Sequence, residues 1–314
     1  MTEIALVFPG QGSQTVGMLA DLAVARPQVQ ETFEEAGQAL GLDLWDLIRN
    51  GPAERLDRTE VTQPVMLAGG VAVWRCWQSL SGPAPKVMAG HSLGEYSALV
   101  AAGALDFADA LRVVAERARL MQAAVAQGEG AMAAILGLGD DVVEAICREV
   151  AEGQVLAPAN YNSPGQLVIA GDSNAVERAM IRCRDAGAKR AMVLPVSVPA
   201  HCAMMAPAAS GLEKALAGVM ISPPDVPVLH NIDGRARTEP EEIRQALVEQ
   251  VYQPVRWTRS VRHMVEGGVK ALAECGPGRV LCGLSRRIDR SLECVPLDQP
   301  DTMKTSIENW REKA

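Results

Sequence analysis

The stretch that decides the fold is Gly90–Tyr96, which reads Gly-His-Ser-Leu-Gly-Glu-Tyr. It follows a short apolar run at 87–89 and precedes a segment of small residues with helical character. A Gly-x-Ser-x-Gly pattern between a strand and a helix is typical of a nucleophile elbow, a turn so tight that the residues flanking the serine must lack bulk. Such a turn presents the Ser92 hydroxyl at a helix N-terminus, where free N–H groups stabilise an oxyanion. The pattern therefore indicates an α/β fold and acyl chemistry.

The same stretch allows a second interpretation. Ser92 and Glu95 fit the Ser-x-x-Glu capping box, in which the serine only caps a helix. Five-residue patterns recur by chance, so the elbow alone leaves both interpretations open.

Strands alternate with helices on both sides of the elbow, which predicts a parallel sheet covered by helices. The first strand is an apolar run at 4–8 that ends in the glycine loop Gly10-Gln11-Gly12. Further strands are predicted at about 86–90, 226–230 and 269–274. Helices are predicted at about 16–24, 28–40, 60–80, 93–103, 106–127, 203–217, 239–249, 256–266, 278–289 and 301–312.

Residues 129–197 have a different rhythm, which predicts an inserted subdomain. Strands at 131–136, 155–159, 166–170 and 190–195 alternate with helices at 140–152 and 173–186, with a turn at 162–165. This β-α-β-β-α-β order is the ferredoxin-like arrangement. We therefore divide the chain into a large α/β domain, residues 1–128 and 198–314, and an inserted ferredoxin-like subdomain, residues 129–197.

Composition excludes several classes of function. The chain has 314 residues with a formal net charge of −8, which argues against a nucleic-acid partner because phosphate binding needs a broad basic surface. Seven dispersed cysteines without a Cys-x-x-Cys pattern indicate reduced thiols and no metal site. The segment beginning Met1-Thr2 lacks the features of a signal peptide, and no apolar run approaches a membrane span. We expect a cytoplasmic monomer with no membrane partner.

A serine nucleophile needs a base, and the chain contains four histidines. His91 adjoins the serine on a turn where neighbouring side chains diverge, and His263 falls within a predicted helix. His230 ends a predicted strand and could line the site. His201 is the best candidate, because it lies where the chain leaves the insertion, and clefts between such units commonly hold small-molecule sites. Its alternative role is to cap or pack at a helix start.

No acidic residue in a suggestive loop between 92 and 201 completes a Ser-His-Asp triad. A main-chain carbonyl can orient an imidazole instead, by accepting a hydrogen bond from its second ring nitrogen. The segment from Gln250 to Pro254 lies between two predicted helices, where unpaired carbonyls occur.

Arg117 lies on the partly apolar helix at 106–127, where an arginine requires a carboxylate partner or a ligand. It either pairs with Glu95 or Glu116, lies on a solvated face, or offers a bidentate fork to a substrate carboxylate. The Gln11 loop also allows two interpretations. It either cradles a phosphate or forms an oxyanion hole from the N–H groups of Gln11 and Leu93.

Four motifs in order, Phe8–Gln14, Gly90–Tyr96, Asn160–Gln166 and Val198–Cys202, closely resemble the bacterial malonyl-CoA:acyl carrier protein transacylase family of type II fatty-acid synthesis. The resemblance covers essentially the whole chain and implies an α/β-hydrolase-like large domain with the inserted subdomain. It implies these roles: Ser92 as acylated nucleophile, His201 as base, the Gln250 carbonyl orienting His201, Gln11 and Leu93 as oxyanion donors, Arg117 as malonyl clamp, and Asn160 and Asn162 lining the cleft. We add His91 to the substrate-binding residues.

The resemblance implies transfer of a malonyl group from malonyl-CoA to the phosphopantetheine thiol of acyl carrier protein by a ping-pong mechanism. No cofactor is expected, since coenzyme A enters as the substrate thioester. A serine hydrolase, a malonyltransferase of polyketide synthesis or malonate decarboxylation, and a noncatalytic docking module are the competing classes. Carrier proteins are acidic, so we expect docking at a local basic patch, either Arg286 with Arg287 or Lys189 with Arg190.

Overall fold

The computed structural model describes residues 3–312. The predicted large domain also includes residues 1–2 and 313–314, and the signal-peptide expectation rests on Met1 and Thr2. These four residues lie outside the described residues. Within residues 3–312 the chain forms a five-stranded parallel sheet and a separate four-stranded antiparallel sheet. The strands are β1 (Ile4–Phe8), β2 (Val87–Gly90), β3 (Gly130–Leu136), β4 (Leu156–Ser163), β5 (Gln166–Asp172), β6 (Arg190–Val193), β7 (Val228–Leu229), β8 (Ala271–Glu274) and β9 (Glu293–Pro296).

Helices cover both sheets. They are α1 (Ala20–Ala25), α2 (Pro27–Leu40), α3 (Leu44–Asn50), α4 (Ala53–Leu56), α5 (Thr59–Ser79), α6 (Gly94–Ala101), α7 (Phe107–Ala124), α8 (Asp140–Val150), α9 (Ser173–Asp185), α10 (Ala206–Ala217), α11 (Pro240–Gln250), α12 (Trp257–Glu266), α13 (Val280–Ile288) and α14 (Pro300–Glu312). Among the helices of residues 3–312, none combines the length and the apolar character needed to cross a membrane.

The parallel sheet has the strand order β7-β2-β1-β8-β9, with β1 at its centre. All five residues of β1 are buried, as is typical of a strand covered on both faces. Ile4, Leu6 and Phe8 pack into the cluster formed with α2, α5 and α6, whereas Ala5 and Val7 pack on the α12 and α13 side. This alternation follows from the two-residue period of a strand. Because β2 lies beside β1, the elbow emerges at the carboxyl edge of a fully buried pair of strands.

The antiparallel sheet has the order β4-β5-β3-β6 and arises from the β-α-β-β-α-β segment predicted from the sequence. Helices α8 and α9 cover one face, and the opposite face packs against the segment that contains Cys202. The predicted fold class, a parallel α/β sheet with a ferredoxin-like insertion, is confirmed. The boundaries at 128/129 and 197/198 stay predictions.

The sequence-based elements differ from the structure in a few places. The predicted turn at 162–165 is wrong, because β4 continues to Ser163, which pairs with Gln166, and only Pro164 and Gly165 form the turn. Strand β6 ends at Val193 rather than at 195, since Pro195 has no N–H to continue the ladder. The sequence patterns did not reveal β9, α3 or α4, which are too short to show a clear period.

Candidate active site

The elbow at Ser92 is a strained turn at the end of β2. Ser92 has a φ of 50°, in the left-handed region that residues with a side chain rarely adopt. A Cβ on Gly90 would overlap the main chain of Gly94, and a Cβ on Gly94 would overlap the carbonyl of Phe8. The sequence-based argument that both flanking positions must lack bulk therefore agrees with the packing around the turn.

The capping-box interpretation of Ser92 and Glu95 is wrong. A capping box needs the Glu95 carboxylate to accept from the Ser92 N–H, but that N–H donates to Asn231 Oδ1 at 2.6 Å. The Glu95 carboxylate accepts instead from the Asn231 N–H and from Gln250 Nε2, each at 2.9 Å. The Ser92 hydroxyl is thereby free to face the cleft.

His201 lies directly opposite the serine hydroxyl. Its Nε2 is 2.7 Å from Ser92 Oγ, and its Nδ1 donates to the main-chain carbonyl of Gln250 at 2.7 Å. The Nδ1 bond leaves Nε2 as the nitrogen that accepts the serine proton. Burial, reinforced by the positive charge of Arg117, lowers the pKa of His201 to about 3. The imidazole is therefore neutral at neutral pH.

Arg117 lies beneath the same hydroxyl, on α7. It is 2% exposed, and its Nη2 lies 3.3 Å from Ser92 Oγ. Its guanidinium donates to two neutral amide oxygens, Gln63 Oε1 at 2.5 Å and Gln250 Oε1 at 3.0 Å. Among residues 3–312, no carboxylate lies within ion-pair distance of this arginine. The alternatives of a salt bridge with Glu95 or Glu116 and of a solvated face are therefore wrong.

Most of the oxyanion and pocket residues predicted from the sequence line the cleft, but Asn162 does not: it contacts the cleft residue His91. Gln11 and Leu93 line the same cleft as Ser92, and neither main-chain N–H is used by another group of residues 3–312. Asn160 lines the cleft from β4.

His91 occupies one side of the cleft beside Asn162. Its Nε2 donates to Asn162 Oδ1 at 2.8 Å, and its ring packs against Trp257. Burial lowers the pKa of His91, so this contact involves a neutral ring.

Several residues at the site escaped the sequence analysis. Gln63 supports Arg117, and Asn231 anchors the elbow through its side chain. His230 does not line the cleft, because its Nδ1 contacts Glu95 in the buried layer below. Two features of the sequence could have indicated them: Gln63 is a glutamine within the apolar helix α5, and Asn231 is one of the polar residues that follow β7.

The site opens into a cleft of about 530 Å³ between the two sheets. The floor is the elbow with His201 and Arg117, and the segment 194–198 that follows β6 forms one side. Among residues 3–312, no cluster of three or more His, Cys, Asp or Glu side chains is arranged to hold a metal ion. The cleft thus places a hydroxyl, a neutral imidazole and a buried cation around one point.

The fold and this arrangement define the class of acyltransferases. A family described as the acyl transferase domain matches residues 5–304. The chain belongs to that family.

The relatives are similar along their whole length. The chain is 56% identical over 308 residues to the malonyl CoA-acyl carrier protein transacylase of Escherichia coli strain K12, covering 98% of this chain and 100% of that protein. It is 42% identical to the protein of the same name in Bacillus subtilis strain 168, covering 100% and 99%. Among solved structures, the transacylase from Coxiella burnetii has a TM-score of 0.97 at 50% identity, covering 98% and 97%. A malonyl-transacylase in complex with its type II PKS acyl-carrier protein also has a TM-score of 0.97, at 53% identity, covering 98% and 100%.

Proposed function

We propose that this acyltransferase moves a malonyl group from malonyl-CoA to the phosphopantetheine thiol of acyl carrier protein through a malonyl-Ser92 intermediate. The name shared by the Escherichia coli and Bacillus subtilis relatives supports the donor and the acceptor. The observation that carries the mechanism is the position of Ser92 Oγ, 2.7 Å from the neutral His201 Nε2 and 3.3 Å from the Arg117 guanidinium.

In the first half-reaction, Ser92 is acylated. His201 Nε2 takes the hydroxyl proton as Oγ attacks the thioester carbonyl, and the N–H groups of Gln11 and Leu93 stabilise the oxyanion. The tetrahedral intermediate collapses, the C–S bond breaks, and the imidazolium returns its proton to the coenzyme A sulfur. The Gln250 carbonyl stabilises the transient positive charge on the ring.

In the second half-reaction, the carrier thiol replaces coenzyme A. His201 takes the thiol proton, the sulfur attacks the malonyl ester, and the proton passes to Ser92 Oγ as the C–O bond breaks. Throughout the cycle Arg117 holds the free malonyl carboxylate with charge-assisted hydrogen bonds. An acetyl group leaves this buried guanidinium without an anionic partner, which disfavours acetyl transfer. All of these groups come from one chain, so a monomer suffices.

The two basic pairs considered for carrier docking flank the same end of the small sheet. Arg287 donates to Gln166 Oε1 at 2.5 Å, and both Gln166 and Arg190 are in register with Leu136 on the strand between them. Gln166 and Arg190 are thus two strands, or about 10 Å, apart. We therefore propose that Lys189, Arg190 and Arg287 form one basic surface for the acidic carrier, whereas the guanidinium of Arg286 donates to the Cys294 carbonyl on β9.

Intact-mass measurement after mixing with malonyl-CoA tests the proposal. We expect the wild-type protein to gain one malonyl group and Ser92→Ala to gain none. Ser97→Ala changes a buried serine on α6, the helix that follows the elbow; it is the matched control and should still be acylated. Adding holo acyl carrier protein should move the group to the carrier. Absence of a wild-type adduct would refute the mechanism, and release of free malonate without carrier acylation would indicate a hydrolase.

A further inference from the structure

The side-chain amide of Gln250 lies between a buried cation and a buried anion. Its Oε1 accepts from Arg117 at 3.0 Å, and its Nε2 donates to Glu95 Oε2 at 2.9 Å and to the Ser92 carbonyl at 2.9 Å. An arginine has no acceptor and an ionised carboxylate has no donor, so these partners fix which end of the amide faces which residue. The amide therefore has one orientation.

Glu95 holds that orientation from a fully buried position. Its carboxylate accepts from the Asn231 N–H and Gln250 Nε2 and contacts His230 Nδ1 at 2.7 Å. Asn231 in turn binds the Ser92 N–H and the Gly90 carbonyl through its side chain. The same carboxylate thus anchors both the elbow and the amide that supports Arg117.

We propose that Glu95 and the Gln250 amide are positioning residues that set the preference for an acyl group with a free carboxylate, an inference that rests on the proposed malonyl transfer. Without Glu95 only the Ser92 carbonyl remains to hold the NH2 group of Gln250, so the amide can rotate and turn this group toward the guanidinium. Two donors would then face each other, and Arg117 would move away from Ser92 Oγ. Acyl selectivity therefore depends on a residue that does not line the cleft.

The neutral side-chain amides of Gln63 and Gln250 are important because they hold the Arg117 guanidinium without neutralising its positive charge. Gln63 and Gln250 satisfy guanidinium N–H groups with oxygen dipoles, and the nearest carboxylate, Glu95, lies on the far side of the Gln250 amide. A carboxylate in direct contact would compete with the substrate for the same charge. The arrangement leaves the cation to be paired by the malonyl carboxylate.

The side chain of Gln250 can be tested apart from its main chain. His201 is oriented by the main-chain carbonyl of Gln250, which any substitution at this position retains. Gln250→Met keeps the length of the side chain and removes the amide. Gln245→Met, the same change at an exposed position of α11, is the matched control.

The measurement is the kcat/KM of Ser92 acylation with malonyl-CoA and with acetyl-CoA. We expect Gln250→Met to lower the malonyl-to-acetyl ratio by about 10-fold or more, because malonyl acylation loses the supported Arg117 in addition to the contact of the amide with the Ser92 carbonyl. Gln245→Met should leave both rates unchanged. Equal loss of both rates would overturn the inference, since a merely structural role affects both acyl groups alike.

Glu95 is tested by a conservative and a disruptive variant. Glu95→Gln retains an oxygen for Gln250 Nε2 and can turn its NH2 group toward His230, whose Nε2 has no partner among residues 3–312 and can take the ring proton. We expect Glu95→Gln to keep the wild-type ratio within about 3-fold and Glu95→Ala to lose it. A wild-type ratio in Glu95→Ala would contradict the inference.

A double variant identifies the route of the effect. Because both residues act through Arg117, Arg117→Ala with Gln250→Met should have the same ratio as Arg117→Ala alone. A further fall in the double variant would mean that Gln250 acts by another route. If the wild-type protein forms no malonyl adduct, the proposed function fails; if it forms one and Gln250→Met keeps the ratio, only this inference fails.

Discussion

The two walls of the cleft differ in chemistry. The wall built on the parallel sheet and its helices contains the groups that can ionise or react, among them Ser92, His201 and Arg117. The wall contributed by the antiparallel sheet and the segment after it contains neutral groups, among them Met132, Asn160, Leu194, Pro195 and Val196. Under the proposed function, the first wall performs the transfer and the second shapes access to it.

The difference has a structural origin. Ligands of open parallel sheets bind beyond the carboxyl ends of the strands, and the elbow is at that edge. Both Ser92 and His201 adopt positive φ values, 50° and 64°, which persist because the surrounding contacts are buried and fully specified. Asn160 and Asn162 instead lie on β4, an irregular strand in which neither of the two residues has a positive φ. Substitutions on the reactive wall should therefore cost more than those on the neutral wall.

The largest effect is expected at His201. Removing the general base in His201→Ala should slow acylation of Ser92 by malonyl-CoA by about 10²- to 10⁴-fold, measured by rapid-quench mass spectrometry. His263→Ala, on the exposed face of α12, is the control and should retain the wild-type rate. A loss of less than about 10-fold in His201→Ala would mean that another group takes the proton.

The same residue should make folding sensitive to acid. The pKa of His201 is about 3 in the folded protein against 6.5 as the ordinary value, because the ring is buried beside Arg117. Between those pH values the unfolded chain binds the extra proton, so stability rises with pH. Relative to His201→Gln, the wild-type free energy of unfolding should fall by up to about 1.4 kcal/mol per pH unit from pH 6.5 toward 3. If the free energies of unfolding of the wild type and His201→Gln changed equally with pH, the His201 ring would not be buried and neutral in the folded protein.

Arg117 should separate malonyl from acetyl transfer. Two charge-assisted hydrogen bonds to the acyl carboxylate are lost in Arg117→Ala, so the malonyl-to-acetyl ratio of kcat/KM should fall by about 10- to 100-fold. Arg119→Ala, which removes an exposed arginine paired with Glu116, should leave the ratio unchanged. An unchanged ratio in Arg117→Ala would place the carboxylate clamp elsewhere.

The sequence predicted much of this reactive wall because its signals are local. The elbow needs Gly90 and Gly94 within five residues of chain, and a strand-turn-helix pattern is visible without tertiary information. The β-α-β-β-α-β order likewise predicts the second sheet from neighbouring segments. Elements that depend on short stretches, such as β9 and α4, give no such signal.

The supporting layer could not be predicted in the same way. Gln63, Asn231 and the side chain of Gln250, of which the sequence predicted only the main-chain carbonyl, come together only when α5, β7 and α11 pack. Glu95 was visible in the motif but had a local explanation, the capping box, that the folded contacts exclude. Residues that act through others are hard to predict because their partners are defined by packing rather than by spacing.

Asn162, which lies on β4 with the neutral wall residue Asn160, should have a modest and unselective effect. Asn162→Ala removes the hydrogen bond to His91 Nε2, which is worth about 1 kcal/mol, so kcat/KM should fall by about 5-fold with both acyl-CoA substrates. Comparison of malonyl-CoA and acetyl-CoA kinetics checks this expectation. If Asn162→Ala changed the malonyl-to-acetyl ratio of kcat/KM, the two walls would not differ in function as proposed, since both would take part in recognising the acyl group.

The smallest effect is expected at the basic surface, remote from the cleft floor. Arg190→Glu should raise the KM for acyl carrier protein by about 3-fold and leave acylation by malonyl-CoA unchanged, because only the carrier contacts this surface. Lys304→Glu, an equal charge reversal on the exposed face of α14, controls for net charge. The difference between the two variants should shrink in high salt, since exposed charges are screened. If Arg190→Glu and Lys304→Glu had equal KM values for acyl carrier protein, Arg190 would not belong to the docking surface. If Arg190→Glu also slowed acylation by malonyl-CoA, this end of the small sheet would affect access of malonyl-CoA to the cleft.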